Sequence, residues 1–242
     1  MQDKAIPQRI LALDDSIETL QILQHTLQAA GFEVVTVTSA EAGLQYIRQA
    51  GLPHLAVVDY HMPPGMDGFA FSDQVLRYSD LPLIMLTALE DEVKIVEAIE
   101  NYAEDYVLKP FSPSELVARI RRVLSRVGVF PFPAGAPIQA DSQLQVHFPL
   151  RQAILRGGKS VSLTPTETKL LYILLRQPGE VVTTDYLLRR MWPREIAYDD
   201  RLHVHVHRLR SKLRKLLRHT LAHEYIISER GVGYLFQPYA EP

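Results

Sequence analysis

The chain has 242 residues, 47% of them hydrophobic, which is enough for two cores at the usual size of about 100–150 residues per domain. It contains no cysteine, which excludes a disulfide framework and a thiolate metal site and fits a reducing compartment. The net charge of −2 conceals a split: 9 Lys and Arg against 18 Asp and Glu before Ser125, then 17 against 10 from Ser125 onward, so an acidic half precedes a basic half suited to a polyanion.

Residues Met1 to Arg9 lack a basic segment followed by an apolar run, and no stretch approaches the roughly 20 apolar residues of a membrane span, so a soluble, cytoplasmic protein with no membrane partner is expected. Short apolar runs alternate with helix-length amphipathic segments in the first half. Ile10–Leu13, Val34–Val37, Leu55–Val58, Leu83–Leu86 and Tyr106–Leu108 read as strands, which predicts an α/β unit with a five-stranded parallel sheet. Ser39 marks one helix start, and Ser112-Pro113-Ser114-Glu115 reads as a capping box opening a helix from about Pro113 to Ser125. Pro and Gly concentrate between Gly128 and Pro137, giving a first domain over 1–125, a linker over 126–140 and a second domain over 141–242.

In the second half Leu144–Phe148, Ala153–Arg156 and Ser160–Leu163 read as strands, with Gly157-Gly158 as a turn. Thr164-Pro165-Thr166-Glu167 is a capping box, Thr183 or Thr184 caps the next helix, and a long helix runs from about Asp199 to His219 before a terminal hairpin. No internal repeat stands out.

Side chains at the carboxyl ends of parallel strands converge on a crevice, and this sequence puts Asp14, Asp15, Asp59, Thr87 and Lys109 at or just past four such ends. Converging carboxylates repel one another unless a hard divalent cation relieves them, Mg²⁺ being the natural one beside a phosphoryl group. Asp59 is then the candidate nucleophile for a phosphoryl group, Asp14, Asp15 and Asp59 the metal ligands, and Lys109 and Thr87 the clamps on the phosphoryl oxygens.

From Gln8 to Ser125 the motifs Leu13-Asp14-Asp15, Val57-Val58-Asp59 with Met62-Pro63 and Asp67-Gly68, Leu86-Thr87-Ala88, and Asp105 to Phe111 resemble the receiver domain of two-component response regulators. The resemblance implies a flavodoxin-like receiver, Mg²⁺-dependent phosphotransfer from a histidine kinase to Asp59, and a cis Lys109-Pro110 peptide. It also implies a switch in which Thr87 moves toward the phosphoryl group and Tyr106 turns inward, biasing the face made by the last two receiver helices and the strand between them. Two departures stand out. The Asp59–Asp67 segment is one residue longer than the common pattern, and Asn101 stands where relatives often end a helix with Gly.

Wound at the α-helical period, the Asp199–His219 segment places Leu202, Val206, Leu209, Leu213 and Leu216 on a core stripe. The opposite side collects His203, Val204, His207, Arg208, Arg210, Ser211 and Arg214, types that meet phosphates, base edges and thymine methyls. Of His203, His205 and His207, only the first and last share a face, which disfavours a zinc site. With Leu163 to Glu167, Leu187 to Trp192 and Arg230-Gly231-Val232-Gly233-Tyr234, this segment resembles the winged helix-turn-helix effector of the OmpR/PhoB-like subfamily. By resemblance, the long helix enters the major groove, Arg230 on the wing reaches the minor groove, and Gly231 and Gly233 permit the wing turn. Relatives usually carry Asp at the position of His203 and often Arg at that of His207. A phosphorylation-promoted homodimer on double-stranded DNA with tandem half-sites is implied, with Asp105 and Arg119 on the dimer face and Ile95 where a basic partner for Glu115 is common. The expected protein is a regulator rather than an enzyme, since His61 occupies the place of the second acid used by aspartate-based phosphatases. The alternative is a constitutive DNA-binding regulator whose receiver is an interaction module.

Overall fold

The computed structural model describes residues 7–88, 103–127, 137–193, 195–217 and 223–240; Asn101, Ile95 and most of the expected linker lie outside them. The chain divides into two compact units, one built largely on the described residues before 128 and the other on those from 137.

In the first unit the elements run β1 (Arg9–Leu13), α1 (Ile17–Ala29), β2 (Glu33–Val37), α2 (Ala40–Ala50), β3 (Leu55–Asp59), α3 (Gly68–Leu76), β4 (Leu83–Ala88), β5 (Asp105–Lys109) and α4 (Pro113–Val127). All four strand pairings are parallel, in the order β2-β1-β3-β4-β5. Because helices cover both faces, strand residues of either parity are buried. Ile10, Ala12, Leu55, Val57, Ile84, Leu86 and Val107 pack on α1 and α4 through Leu23, Leu27, Leu116 and Ile120. On the other face Gly43 of α2 comes so close to Leu13 that a Cβ there would lie 2.6 Å from Leu13 Cδ2. Strand order reverses between β1 and β3, which opens the ligand crevice of such sheets at the carboxyl ends of those two strands.

Ser16 and Ser39 cap α1 and α2, their hydroxyls accepting from Thr19 N at 3.2 Å and Ala42 N at 3.1 Å. The capping box expected at Ser112 does not form. Its hydroxyl pairs with that of Ser114 at 2.9 Å, and Glu115 is drawn along the helix to Arg119 at 2.8 Å. The helix extends two residues past Ser125 because Val127, like Val123 and Leu124, is buried.

The second unit opens with an antiparallel sheet of β6 (Ile138–Gln139), β7 (Leu144–His147), β8 (Gln152–Leu155) and β9 (Ser160–Ser162). Three helices follow, α5 (Pro165–Leu175), α6 (Thr184–Met191) and α7 (Asp199–Leu217). A second sheet joins β10 (Val182–Thr183) to the hairpin of β11 (Ile226–Glu229) and β12 (Gly233–Phe236). The predicted box at the start of α5 is complete: Glu167 N donates to Thr164 Oγ1 at 3.3 Å and Thr164 N to Glu167 Oε2 at 2.7 Å. Thr183, not Thr184, caps α6. The two wing glycines serve different ends. Gly231 has φ +74°, a turn conformation, whereas Gly233 admits β10, since a Cβ there would lie 2.0 Å from Val182 O. The short strands β6 and β10 escaped the sequence reading because two residues give no alternation to read.

Candidate phosphoacceptor site and nucleic-acid interface

Asp14 directly follows the end of β1 and Asp59 ends β3, on neighbouring strands, so their carboxylates meet in the crevice. Asp14 is fully buried; one of its oxygens accepts from Ser16 N at 2.9 Å and the other from Lys109 Nζ at 2.7 Å. The same ammonium lies 2.9 Å from Asp59 Oδ2. With exposed Asp15, each member of the trio offers a carboxylate oxygen, and these atoms all lie within 4.8 Å of one another. Three carboxylates face one ammonium. Burial pushes the Asp59 carboxyl above its ordinary range, Lys109 offsets part of that rise, and the charges of Asp14 and Asp15 add to it. Burial pulls the Lys109 ammonium down, but its hydrogen bonds to Asp14 and Asp59 outweigh that and leave it raised. An all-oxygen set with excess negative charge suits a hard divalent cation.

Thr87, at the end of β4, is 8% exposed, and its hydroxyl makes one long hydrogen bond, 3.3 Å to Ala88 O. Lys109-Pro110 is cis, as expected, and so is Pro63-Pro64. The longer segment after Asp59 closes on itself. Gly68 N donates to Tyr60 O at 3.0 Å, and Met66 N donates to Glu41 Oε1 at 2.9 Å, a role for Glu41 that the sequence did not suggest. Gly68 is required there, because a Cβ would sit 2.3 Å from Asp59 O. Tyr106 is half-buried. Asp105 and Arg119, expected on a dimer face, are joined within the chain at 3.0 Å, and Arg122 adds a second guanidinium at 2.6 Å that sequence reasoning missed.

On α7 the core stripe is as expected, with Leu202, Val206, Leu209, Leu213 and Leu216 buried. His203, Val204, His207, Arg208 and Arg214 are exposed, as is Arg230 at the hairpin turn. Ser211 is half-buried, and Arg210 departs from the expected solvent face: Nε donates to Ile226 O at 2.7 Å and Nη2 to Ser228 Oγ at 2.8 Å, tying the helix to the wing. Arg214 pairs with Glu224 at 2.6 Å. His205 turns toward Trp192, with ring centroids 5.6 Å apart. Lys212, absent from the expected site, reaches the buried Glu167 at 2.7 Å.

No helix among the described residues is long and apolar enough to cross a membrane. Residues 10–121 match the response regulator receiver domain, and residues 158–236 match the transcriptional regulatory protein, C-terminal domain. Over 232 residues the chain is 36% identical to the DNA-binding response regulator MtrA of Mycobacterium tuberculosis, covering 96% of this chain and 97% of that protein. The Mycobacterium leprae protein of the same name is equally similar, 36% identical over 96% of this chain and 99% of its own. A solved structure, the response regulator DrrB, described as a Thermotoga maritima OmpR/PhoB homolog, is 26% identical over 96% of this chain and 99% of its own, with a TM-score of 0.45. With a receiver fold carrying the acidic trio and a C-terminal transcriptional regulatory domain, the chain belongs to the DNA-binding response regulators.

Proposed function

We propose that this is a phosphorylation-dependent transcriptional regulator in which Asp59 accepts a phosphoryl group from a histidine kinase. The observation that carries the reading is the Lys109 ammonium held 2.7 Å from Asp14 and 2.9 Å from Asp59, inside a trio of carboxylates. An Asp59 oxygen attacks phosphorus, the P–N bond of the kinase phosphohistidine breaks, and its electron pair stays on the imidazole nitrogen. Asp14, Asp15 and Asp59 would hold Mg²⁺, which supplies charge neutralisation for the phosphoryl oxygens when bound. Lys109 then exchanges its contact with Asp59 for a phosphoryl oxygen. The Thr87 hydroxyl, engaged only at 3.3 Å, turns to another, and Tyr106 follows inward.

That movement favours a homodimer through the face bearing Asp105 and Arg119. Two effector domains joined in this way bind tandem half-sites with raised local concentration. His203, Val204, His207 and Arg208 of α7 meet the major groove, Ser211 and Arg214 flank them, Arg210 braces the wing, and Arg230 reaches the minor groove. The test is intact-mass analysis after incubation with acetyl phosphate and Mg²⁺, wild type beside Asp59→Asn, with size-exclusion chromatography. A single Mg²⁺-dependent phosphoryl adduct, absent from the variant and accompanied by dimerisation, is expected. An unmodified protein, with DNA binding equal in both, refutes the proposal and leaves constitutive DNA binding.

A further inference from the structure

Helix α7 is rich in cations, yet most of them have partners within the chain. Arg201 pairs with Glu195 and lies 4.4 Å from the Trp192 ring; Arg210 bonds Ile226 O and Ser228; Lys212 bonds Glu167; Arg214 bonds Glu224. Beyond Asp199, Asp200 and Arg201 at its start, which are also exposed, the exposed surface of the first three turns is His203, Val204, His207 and Arg208. His203 and His207 are four residues apart, on one face and about 6 Å apart along the axis, close to two base-pair steps.

We propose that His203 and His207 are the specificity-determining residues of this helix, reading acceptor edges in the major groove as imidazoles, and that DNA binding takes up protons there. The inference rests on α7 being the DNA-reading helix. A neutral imidazole offers one N–H, an imidazolium two, while guanine presents two acceptors, N7 and O6, in the major groove. The phosphates alongside add negative potential that favours the charged ring.

Charged groups of both signs surround the two rings. On α7 itself Asp199 and Asp200 lie one turn before His203, and Arg208, Arg210 and Ser211 follow His207. From the wing, Tyr234 meets His203 edge-on at 6.2 Å, and Glu229 and Arg230 flank the turn. On the side of α6, Trp192 and Glu195 engage Arg201, and Trp192 also meets His205; from α5, Glu167 engages Lys212. Arg208 is thus the exposed arginine beside the two imidazoles, and imidazole is the side chain type whose charge ordinarily changes between pH about 8 and 5.

The test uses the full-length unphosphorylated chain and duplexes recovered by it from a random library, with binding followed by fluorescence anisotropy between pH 8 and 6 at constant ionic strength. Wild type should tighten about tenfold or more over that range, and His203→Gln/His207→Gln should change less than about twofold. Replacing the selected guanines one at a time by 7-deazaguanine should, at one position or more, weaken wild-type binding at pH 6 and leave the double variant unmoved. Trp192 fluorescence verifies that the variants remain folded. Wild-type affinity that does not vary with pH, a double variant that keeps the full dependence, or indifference to 7-deazaguanine at every position overturns the inference. Val204→Ala and Arg208→Ala separate the two levels. If they weaken binding while any of those three results holds, α7 still reads the DNA but not through protonated imidazoles. If neither they nor the histidine substitutions alter affinity, the reading of α7 as the DNA helix falls, and this inference with it.

Discussion

Lys212→Met should loosen the DNA-binding unit more than any surface position on α7, because it breaks an ion pair whose acid is buried. The Glu167 side chain is 2% exposed, and its Oε2 accepts from both Lys212 Nζ and Thr164 N at 2.7 Å. Removing one partner of a buried pair costs about 3–5 kcal/mol when the other is stranded. Here the cost is smaller, about 2–3 kcal/mol, because the Lys212 side chain is 30% exposed, so water reaches that side, and Glu167 keeps its capping bond. Glu167→Gln/Lys212→Met leaves no stranded charge, and its amide oxygen still accepts from Thr164 N, so the double variant should recover at least half of the loss. Trp192 is the only tryptophan in the chain and is 9% exposed, so its fluorescence follows unfolding of this unit alone. A loss of 2–3 kcal/mol lowers the midpoint by roughly 10–20 °C for a domain of about 100 residues. Burial alone would push the Glu167 carboxyl up, but the bonds from Lys212 and Thr164 hold it below its ordinary range. A depressed folded value contributes stability above the unfolded value and loses it as pH falls through the folded one. The gap between wild type and the double variant should therefore narrow as pH drops below about 4.3. A single variant within about 0.5 kcal/mol of wild type, or a double variant no better than the single, refutes this account of the pair.

Asp59→Asn should raise the thermal stability of the receiver at neutral pH in metal-free buffer, read by far-UV circular dichroism. The folded carboxyl is held above its ordinary value, so the stability it confers is full below the unfolded pKa of about 3.9 and lost as pH rises through the folded one; the advantage of the variant should vanish toward pH about 4 and below. Gly233→Ala should cost about 3 kcal/mol or more of effector-unit stability, because its Cβ would lie 2.0 Å from Val182 O and must push β10 from β12; a change under about 1 kcal/mol in the Trp192 transition contradicts that packing. Arg230→Ala should weaken binding to all duplexes alike and reduce the salt slope of log Kd by about 1 for each lost phosphate contact, and an unchanged slope would remove Arg230 from the interface.

The receiver was legible from sequence because parallel-sheet geometry fixes where a strand-end residue lands. Once β1, β3, β4 and β5 are placed, Asp14, Asp59, Thr87 and Lys109 have one crevice to share, and the 2.7 and 2.9 Å contacts of Lys109 follow from topology. The core stripe of α7 was legible for a similar reason, since a period of 3.6 residues assigns Leu202, Val206, Leu209 and Leu213 to one side without knowledge of what they touch. Periodicity says nothing about where a long side chain ends. Arg210 and Arg214 share the polar side with His203 and His207, yet one spans to Ile226 O and Ser228 on the wing and the other to Glu224, partners 10 to 18 residues away in sequence. Glu41 closing the segment after Asp59 and Glu167 receiving Lys212 are further cases, joined across 25 and 45 residues. The partners of Arg210, Lys212 and Arg214 engage charges that sequence counting would assign to DNA. On α7 the formal excess of arginine and lysine therefore overstates the charge that a duplex would meet, and the two imidazoles left uncovered become a larger share of it than their number suggests.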